Sequence, residues 1–159
     1  MQVILKNGRA ITIRLKTSND GEALGEMLEN CSERTYHFFH PYPLTRESGL
    51  KVAADEKNIS FIAFADDGAA VGYILIGREG DVPTLGICVR DGWQGLGVGR
   101  ALMERVIAEA KTVGKKGIQL TVMKDNARGI ALYQSVGFVI DGDAPDPVGP
   151  SYHMTLRFM

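Results

Sequence analysis

Apolar and polar positions change their spacing several times along the chain, and each change marks an element. Val3, Leu5, Ile11, Ile13 and Leu15 alternate with polar neighbours on either side of Asn7-Gly8. Asn-Gly between alternating runs is a strong two-residue turn, so the chain is expected to open with a β-hairpin. Ala23, Leu24, Met27, Leu28 and Cys31 then recur at helical spacing behind the cap candidates Thr17 to Asp20, which predicts a helix over 20–33. Arg34 to Thr45 carries two prolines, which argue against a continuous helix through it. Thr45 caps a second predicted helix over 45–57, whose apolar side is thin and therefore expected at the surface.

Two nearly continuous apolar runs follow, 59–65 and 69–77, joined by Asp66-Asp67-Gly68. Such runs suit antiparallel strands covered on both faces. A third strand over 83–89 enters a glycine-rich loop, and Ala101, Leu102, Val106, Ile107 and Ala110 then mark one side of a helix over 100–113 that stops at Gly114. The strand 117–123 comes after this helical crossover and should run parallel to its predecessor. A helix over 126–136, a short strand near 138–141, a Pro/Gly/Asp-rich loop over 142–150 and a last strand complete the order. The fold class is α/β (α+β mixed), with a mixed, mostly antiparallel sheet.

Length narrows this to one domain: 159 residues, 45% hydrophobic and 23% charged, fit a single unit over 1–159 with a real core. A net charge of -1 gives no reason to expect a nucleic-acid partner. Cys31 and Cys88 have apolar neighbours and no third ligand nearby, so they read as reduced core thiols in a cytoplasmic protein. No apolar run reaches membrane-span length and the N-terminus lacks the pattern of a signal peptide. Neither a membrane partner nor a metal is expected.

The candidate chemistry starts at Gln94-Gly95-Leu96-Gly97-Val98-Gly99-Arg100. A strand feeding such a loop into a helix start leaves backbone N–H groups aimed at one spot with the positive end of the helix dipole, which is an anion site. A dinucleotide fingerprint would need G-x-G-x-x-G and an acidic residue after the next strand, but that strand ends in Met123-Lys124. A P-loop would need Gly-Lys-Ser/Thr where Gly99-Arg100-Ala101 stands. Both nucleotide readings are disfavoured.

Gln94, Gly95, Gly97 and Gly99 instead resemble the Gln/Arg-x-x-Gly-x-Gly/Ala motif of the GCN5-related N-acetyltransferase (GNAT) family. Asn126 to Phe138 is similar to its N-x-x-A-x-x-L-Y-x-x-x-G-F block, with Gly129 where alanine is usual. The resemblance implies helices on both sheet faces and a sheet splayed between the strand before the glycine loop and the next parallel strand. It implies an N-acetyltransferase with acetyl-CoA as cosubstrate and a primary amine, small molecule or peptide, as acceptor. A homodimer is frequent in the family. The rival readings are a non-catalytic acyl-CoA-binding module and an enzyme using a longer acyl-CoA.

By the same resemblance, Ile87, Cys88 and Val89 offer backbone groups to the pantetheine, and the amides of Gln94, Gly95, Leu96, Gly97, Val98, Gly99 and Arg100 hold the diphosphate. Asn126 fixes the pantetheine arm or a water, and the Tyr133 hydroxyl stands near the sulfur as general acid. Tyr133 has a packing alternative, and Arg100 reaches a phosphate or is a solvated first-turn residue. Tyr36, His37, Phe38 and Phe39 are the acceptor-wall candidates, weighed evenly against a flap that tucks aromatics inward.

Attack of an amine on a thioester needs a neutral nucleophile, a polarised carbonyl and a proton for the thiolate. The strand at 84–89 has no carboxylate to act as base. Either a water chain takes the proton or one of Glu33, His37, His40, Glu79 and His153 does, each a weak candidate, since an isolated histidine is more often structural.

Overall fold

The computed structural model describes Met1–Met159. The strands are β1 (Gln2–Ile4), β2 (Ala10–Leu15), β3 (Asn58–Ala65), β4 (Ala70–Gly77), β5 (Leu85–Val89), β6 (Gly117–Met123), β7 (Val139–Ala144) and β8 (Ser151–Arg157). The helices are α1 (Gly21–Glu29), α2 (Glu33–Phe38), α3 (Arg46–Ala54), α4 (Val98–Thr112) and α5 (Ala127–Ser135), with one 3₁₀ turn at Ser18–Asp20. Strands β1 to β5 form one antiparallel sheet in sequence order, and β6, β8 and β7 form a second in which β8 lies in the middle.

The two sheets meet at a single parallel bridge, Thr84 to Gln119, where the Gln119 N–H donates to the Pro83 carbonyl at 3.0 Å. Beyond that bridge β5 and β6 separate, so the expected parallel pairing is realised only at its root. The remaining length of β5 becomes one wall of a cleft.

The continuous apolar runs bury both faces. Phe61, Ala63, Ile74 and Ile76 face a core shared with Leu102, Met103 and Val106 of α4. Ile62 and Tyr73 face a second core with Leu24, Met27 and Leu28 of α1 and with Phe39. Helices therefore cover both sides of the larger sheet, as period-2 alternation between two apolar surfaces requires.

Several elements differ from expectation. Helix α1 stops at Glu29, and Ser32, whose Oγ accepts the Thr35 N–H at 3.3 Å, caps a separate helix α2 in the stretch expected to be irregular. Its prolines, Pro41 and Pro43, lie beyond the helix end and do not interrupt it. Helix α3 is not merely superficial: a Cβ on Gly49 would lie 2.3 Å from the Gly25 nitrogen, so α1 and α3 touch backbone to backbone. Counting apolar side chains misses an interface built on glycine. Helix α4 starts at Val98 rather than residue 100, and β7 runs to Ala144.

Candidate active site

The cleft left by the parting sheets has a volume of about 570 Å³. One end is the glycine loop. Gly95 (φ 76°) and Gly97 (φ 106°) occupy the left-handed region that favours glycine, and Gly97 ends the loop as the N-cap of α4. Gly99 serves a different need, because a Cβ there would sit 3.2 Å from Leu132 Cδ2, where α4 meets α5. Two glycines thus shape the turn and the third lets two helices approach.

This geometry strips the loop of acceptors. None of the N–H groups of Gln94, Gly95, Leu96 and Gly97 is given to a carbonyl of the protein. The next three, at the start of α4, have no intrahelical acceptor, and the helix adds about half a positive charge at that end. Outside the loop, Lys6, Arg100 and Arg128 line the same cleft, with an Arg128 Nη1 3.7 Å from the point a Gly95 Cβ would occupy. The β1–β2 hairpin is drawn against the loop: the Lys6 N–H donates to the Leu96 carbonyl at 3.1 Å, and the Arg9 guanidinium lies 4.0 Å over the Trp93 ring.

The long wall is β5, and the phase of its ladder decides which peptide groups face the cleft. Arg90 N–H donates to Val71 O at 2.8 Å, one position beyond the pair Gly72–Val89. Hydrogen-bonded pairs alternate in an antiparallel ladder, so Cys88 and Gly86 also bond to β4. The peptide groups of Ile87 and Val89 therefore point to the open edge. Cys88, expected with them as a backbone contact, turns its peptide toward β4. The Gln94 side chain reaches back to this edge, its amide donating to Val89 O at 3.0 Å and Thr35 Oγ1 at 3.2 Å.

Helix α5 forms the opposite wall. Asn126 Oδ1 accepts the Gly129 N–H at 3.0 Å and caps the helix. A Cβ on Gly129 would fall 2.6 Å from Asn126 Nδ2, which explains a glycine where alanine is usual in the motif. Tyr133 is 8% exposed, its ring packs 6.1 Å from that of Phe138, and its hydroxyl donates to no protein group. Burial pushes its pKa up to about 12, so it keeps its proton throughout the neutral range. Arg100 donates to Glu104 Oε1 at 3.1 Å and Ser135 Oγ at 2.9 Å, joining α4 to α5 at the cleft edge.

The far end divides the aromatic segment. Phe38 and Phe39 line the cleft, whereas Tyr36 faces a shallow outer groove. His37 lies outside the lining, but its Nε2 is 2.9 Å from Asp125 Oδ2, and Asp125 does line the cleft. His40 pairs with Asp146, and His153 with Asp141 and Gln119, away from the cleft. Glu33 and Glu79 are exposed outside it. Lys6, Arg34, Arg128 and Asp125 belong to the lining without having been singled out in the sequence, where only the position of Arg128 inside the second motif pointed to it.

The two cysteines come together across 57 positions in the chain, both free. The contact with Cys31 and complete burial push the Cys88 thiol well above its ordinary range, so it stays a thiol and a poor nucleophile.

A family model described as the acetyltransferase (GNAT) family matches residues 23–138. The L-amino acid N-acetyltransferase AaaT of Escherichia coli (strain K12) is 36% identical over 95 residues, covering 56% of this chain and 59% of that protein. The ribosomal protein bS18-alanine N-acetyltransferase of Salmonella typhimurium is 35% identical over 94 residues, covering 58% of this chain and 55% of that protein. These matches thus span little more than half of each relative. Among solved structures, the GNAT domain of S. lividans PAT superposes with a TM-score of 0.84 at 20% identity, over 99% of this chain and 96% of that one. Salmonella typhimurium yncA, solved with its cofactor acetyl-CoA, superposes at 0.74 with 24% identity, over 92% and 93%. The chain belongs to the GNAT acetyltransferase family.

Proposed function

We propose that residues 1–159 act as one domain that transfers an acetyl group from acetyl-CoA to a primary amine by direct attack. The observation that carries this reading is one continuous cleft with a bare arc of amides at one end, an unpaired strand edge along its wall and a free, protonated Tyr133 hydroxyl beside that edge. Amides 94 to 100 with Lys6, Arg100 and Arg128 suit a diphosphate, whose charge they meet with dipoles and three cations. The outward peptide groups of Ile87 and Val89 suit an amide-containing arm lying along β5 as an added strand. The cosubstrate supplies the activated acyl group.

Within that frame Tyr133 gives its proton to the departing thiolate, and the Ile87 or Val89 N–H polarises the carbonyl. Phe38 and Phe39 close the acceptor end and exclude water. A covalent step on Cys88 is disfavoured by its burial and its protonated state. The chain has no helix long and apolar enough to cross a membrane; together with two free thiols this supports work in a reducing, cytoplasmic setting. The test is a panel of amines and peptides incubated with protein and acetyl-CoA, with release of free thiol as the readout. Thiol release that depends on both acceptor and protein is expected, and acetyl-CoA binding without it across the panel would leave only a binding module.

A further inference from the structure

The assigned chemistry still needs a group that receives the acceptor's proton, and the strand leading to the glycine loop has none. We propose that Asp125 is that group, with His37 as its positioning residue; this rests on the acetyltransferase reading above. Asp125 is the only carboxylate among the residues lining the cleft, whose other charged members are Lys6, Arg34, Arg100 and Arg128. An ammonium entering this cleft meets four cations and one anion, so the carboxylate is its only ionic partner.

Placement favours the same residue. Asp125 directly precedes Asn126, the cap of α5, and Tyr133 lies on that helix, so the proton acceptor sits at the entrance of the helix that carries the proton donor. Asp125 itself is on the turn after β6, where the second sheet has parted from β5. His37 comes from α2, on the other side of the cleft and 88 positions away, and its ring nitrogen lies 2.9 Å from Asp125 Oδ2. Its other ring nitrogen bonds to no protein group, while α2 is fixed by Ser32 at its start and by Thr35 Oγ1, which donates to Asp91 at 2.6 Å. Donation from His37 Nε2 to Oδ2 leaves Oδ1 for the incoming ammonium.

The step balances with these groups and solvent. Asp125 pairs with the ammonium, takes one of its protons and passes it to solvent, which frees the nitrogen lone pair. As the C–N bond forms and the C–S bond breaks, the nitrogen gives its second proton to water, while Tyr133 protonates the sulfur. A proton from solvent then restores the Tyr133 hydroxyl. The net change is ammonium plus thioester to amide, thiol and one proton.

The test compares Asp125→Asn with the parent protein on two acceptors, a basic alkylamine and weakly basic methoxyamine, which is largely neutral at neutral pH. With the alkylamine, kcat/KM should fall by about 100-fold or more, the size of a lost acid–base group. With methoxyamine it should fall by less than about threefold, and calorimetry should give an unchanged acetyl-CoA affinity. His37→Ala should lower kcat by about 10-fold and His37→Gln, which keeps a donor, should restore most of it. Equal losses on both acceptors, or alkylamine turnover within about threefold of the parent, would overturn the assignment. The alkylamine is one that the amine panel shows to be acetylated, and a parent protein that acetylates no member of that panel fails the acetyltransferase reading itself, and this assignment with it.

Discussion

The two ends of the cleft are built by different rules. The glycine-loop end is continuous in sequence: a strand, the eight residues 90–97 and a helix start place the amides of 94 to 100 side by side, and backbone conformation does the work. The other end is assembled from α2, the β6–α5 turn and α5, with contacts such as His37 to Asp125 that span 88 positions. A site of backbone amides tolerates change in side chains but not in φ. A site of long-range side-chain pairs tolerates neither the loss of a partner nor a shift of the helix that carries it.

The largest expected effect breaks the first end alone. Gly97→Glu puts a side chain at φ 106° and a negative charge on the amide arc, and acetyl-CoA affinity should fall by about 100-fold or more. Calorimetry checks it, with circular dichroism to show that the fold persists. Normal affinity would remove the anion site from the glycine loop.

The next effect reaches the second end through its scaffold. Gly49→Ala forces a methyl to within 2.3 Å of the Gly25 nitrogen, so α1 and α3 must separate, at a cost of about 2 kcal/mol or more. Denaturant unfolding should show that loss, and a mutant as stable as the parent would mean the helices slide apart freely. Since α2 follows α1 directly, acceptor KM should rise while acetyl-CoA affinity changes little.

Tyr133→Phe sharpens the division between binding and chemistry. Turnover should fall by about 10-fold or more, with cofactor affinity nearly unchanged, because the hydroxyl touches no protein group whose loss would disturb the fold. Unchanged turnover would remove Tyr133 as the acid.

The smallest effect is a null one. Burial holds the Tyr133 pKa at about 12, so its acid form persists and raising the pH from 8 to 9 should cost no turnover through this residue. The sign for stability is opposite: a folded pKa above the unfolded value means that stability is present below about pH 10 and is lost as pH rises through 10 to 12. A pH–rate profile beside alkaline unfolding curves separates the two.

What the sequence showed follows the same division. The order of strands and helices, the hairpin at Asn7-Gly8 and the cap at Thr45 rest on local spacing, and so does the glycine loop, which is why they were legible. The meeting of Gly25 with Gly49 was not, since nothing in a helical period marks two glycines as partners. Asp125 lay beside a recognised motif yet carried no signal, because its significance comes from His37 and from the absence of other carboxylates around the cleft. The split of Tyr36 from Phe38 and Phe39 was hidden as well, until Ser32 was seen to start a helix that turns successive aromatics in different directions. The ladder phase that turns Cys88 away from the cleft depends on pairing with β4, which no single strand announces.

The most direct measurement follows thiol and amide together in a rapid-quench experiment, with protein and acetyl-CoA present and amine either added or withheld. Direct transfer gives no thiol without amine and one thiol per amide formed once an accepted amine is added. A burst of thiol equal to the protein concentration in the absence of amine would contradict direct transfer, and thiol release that never yields an amide would contradict acetyl transfer to an amine.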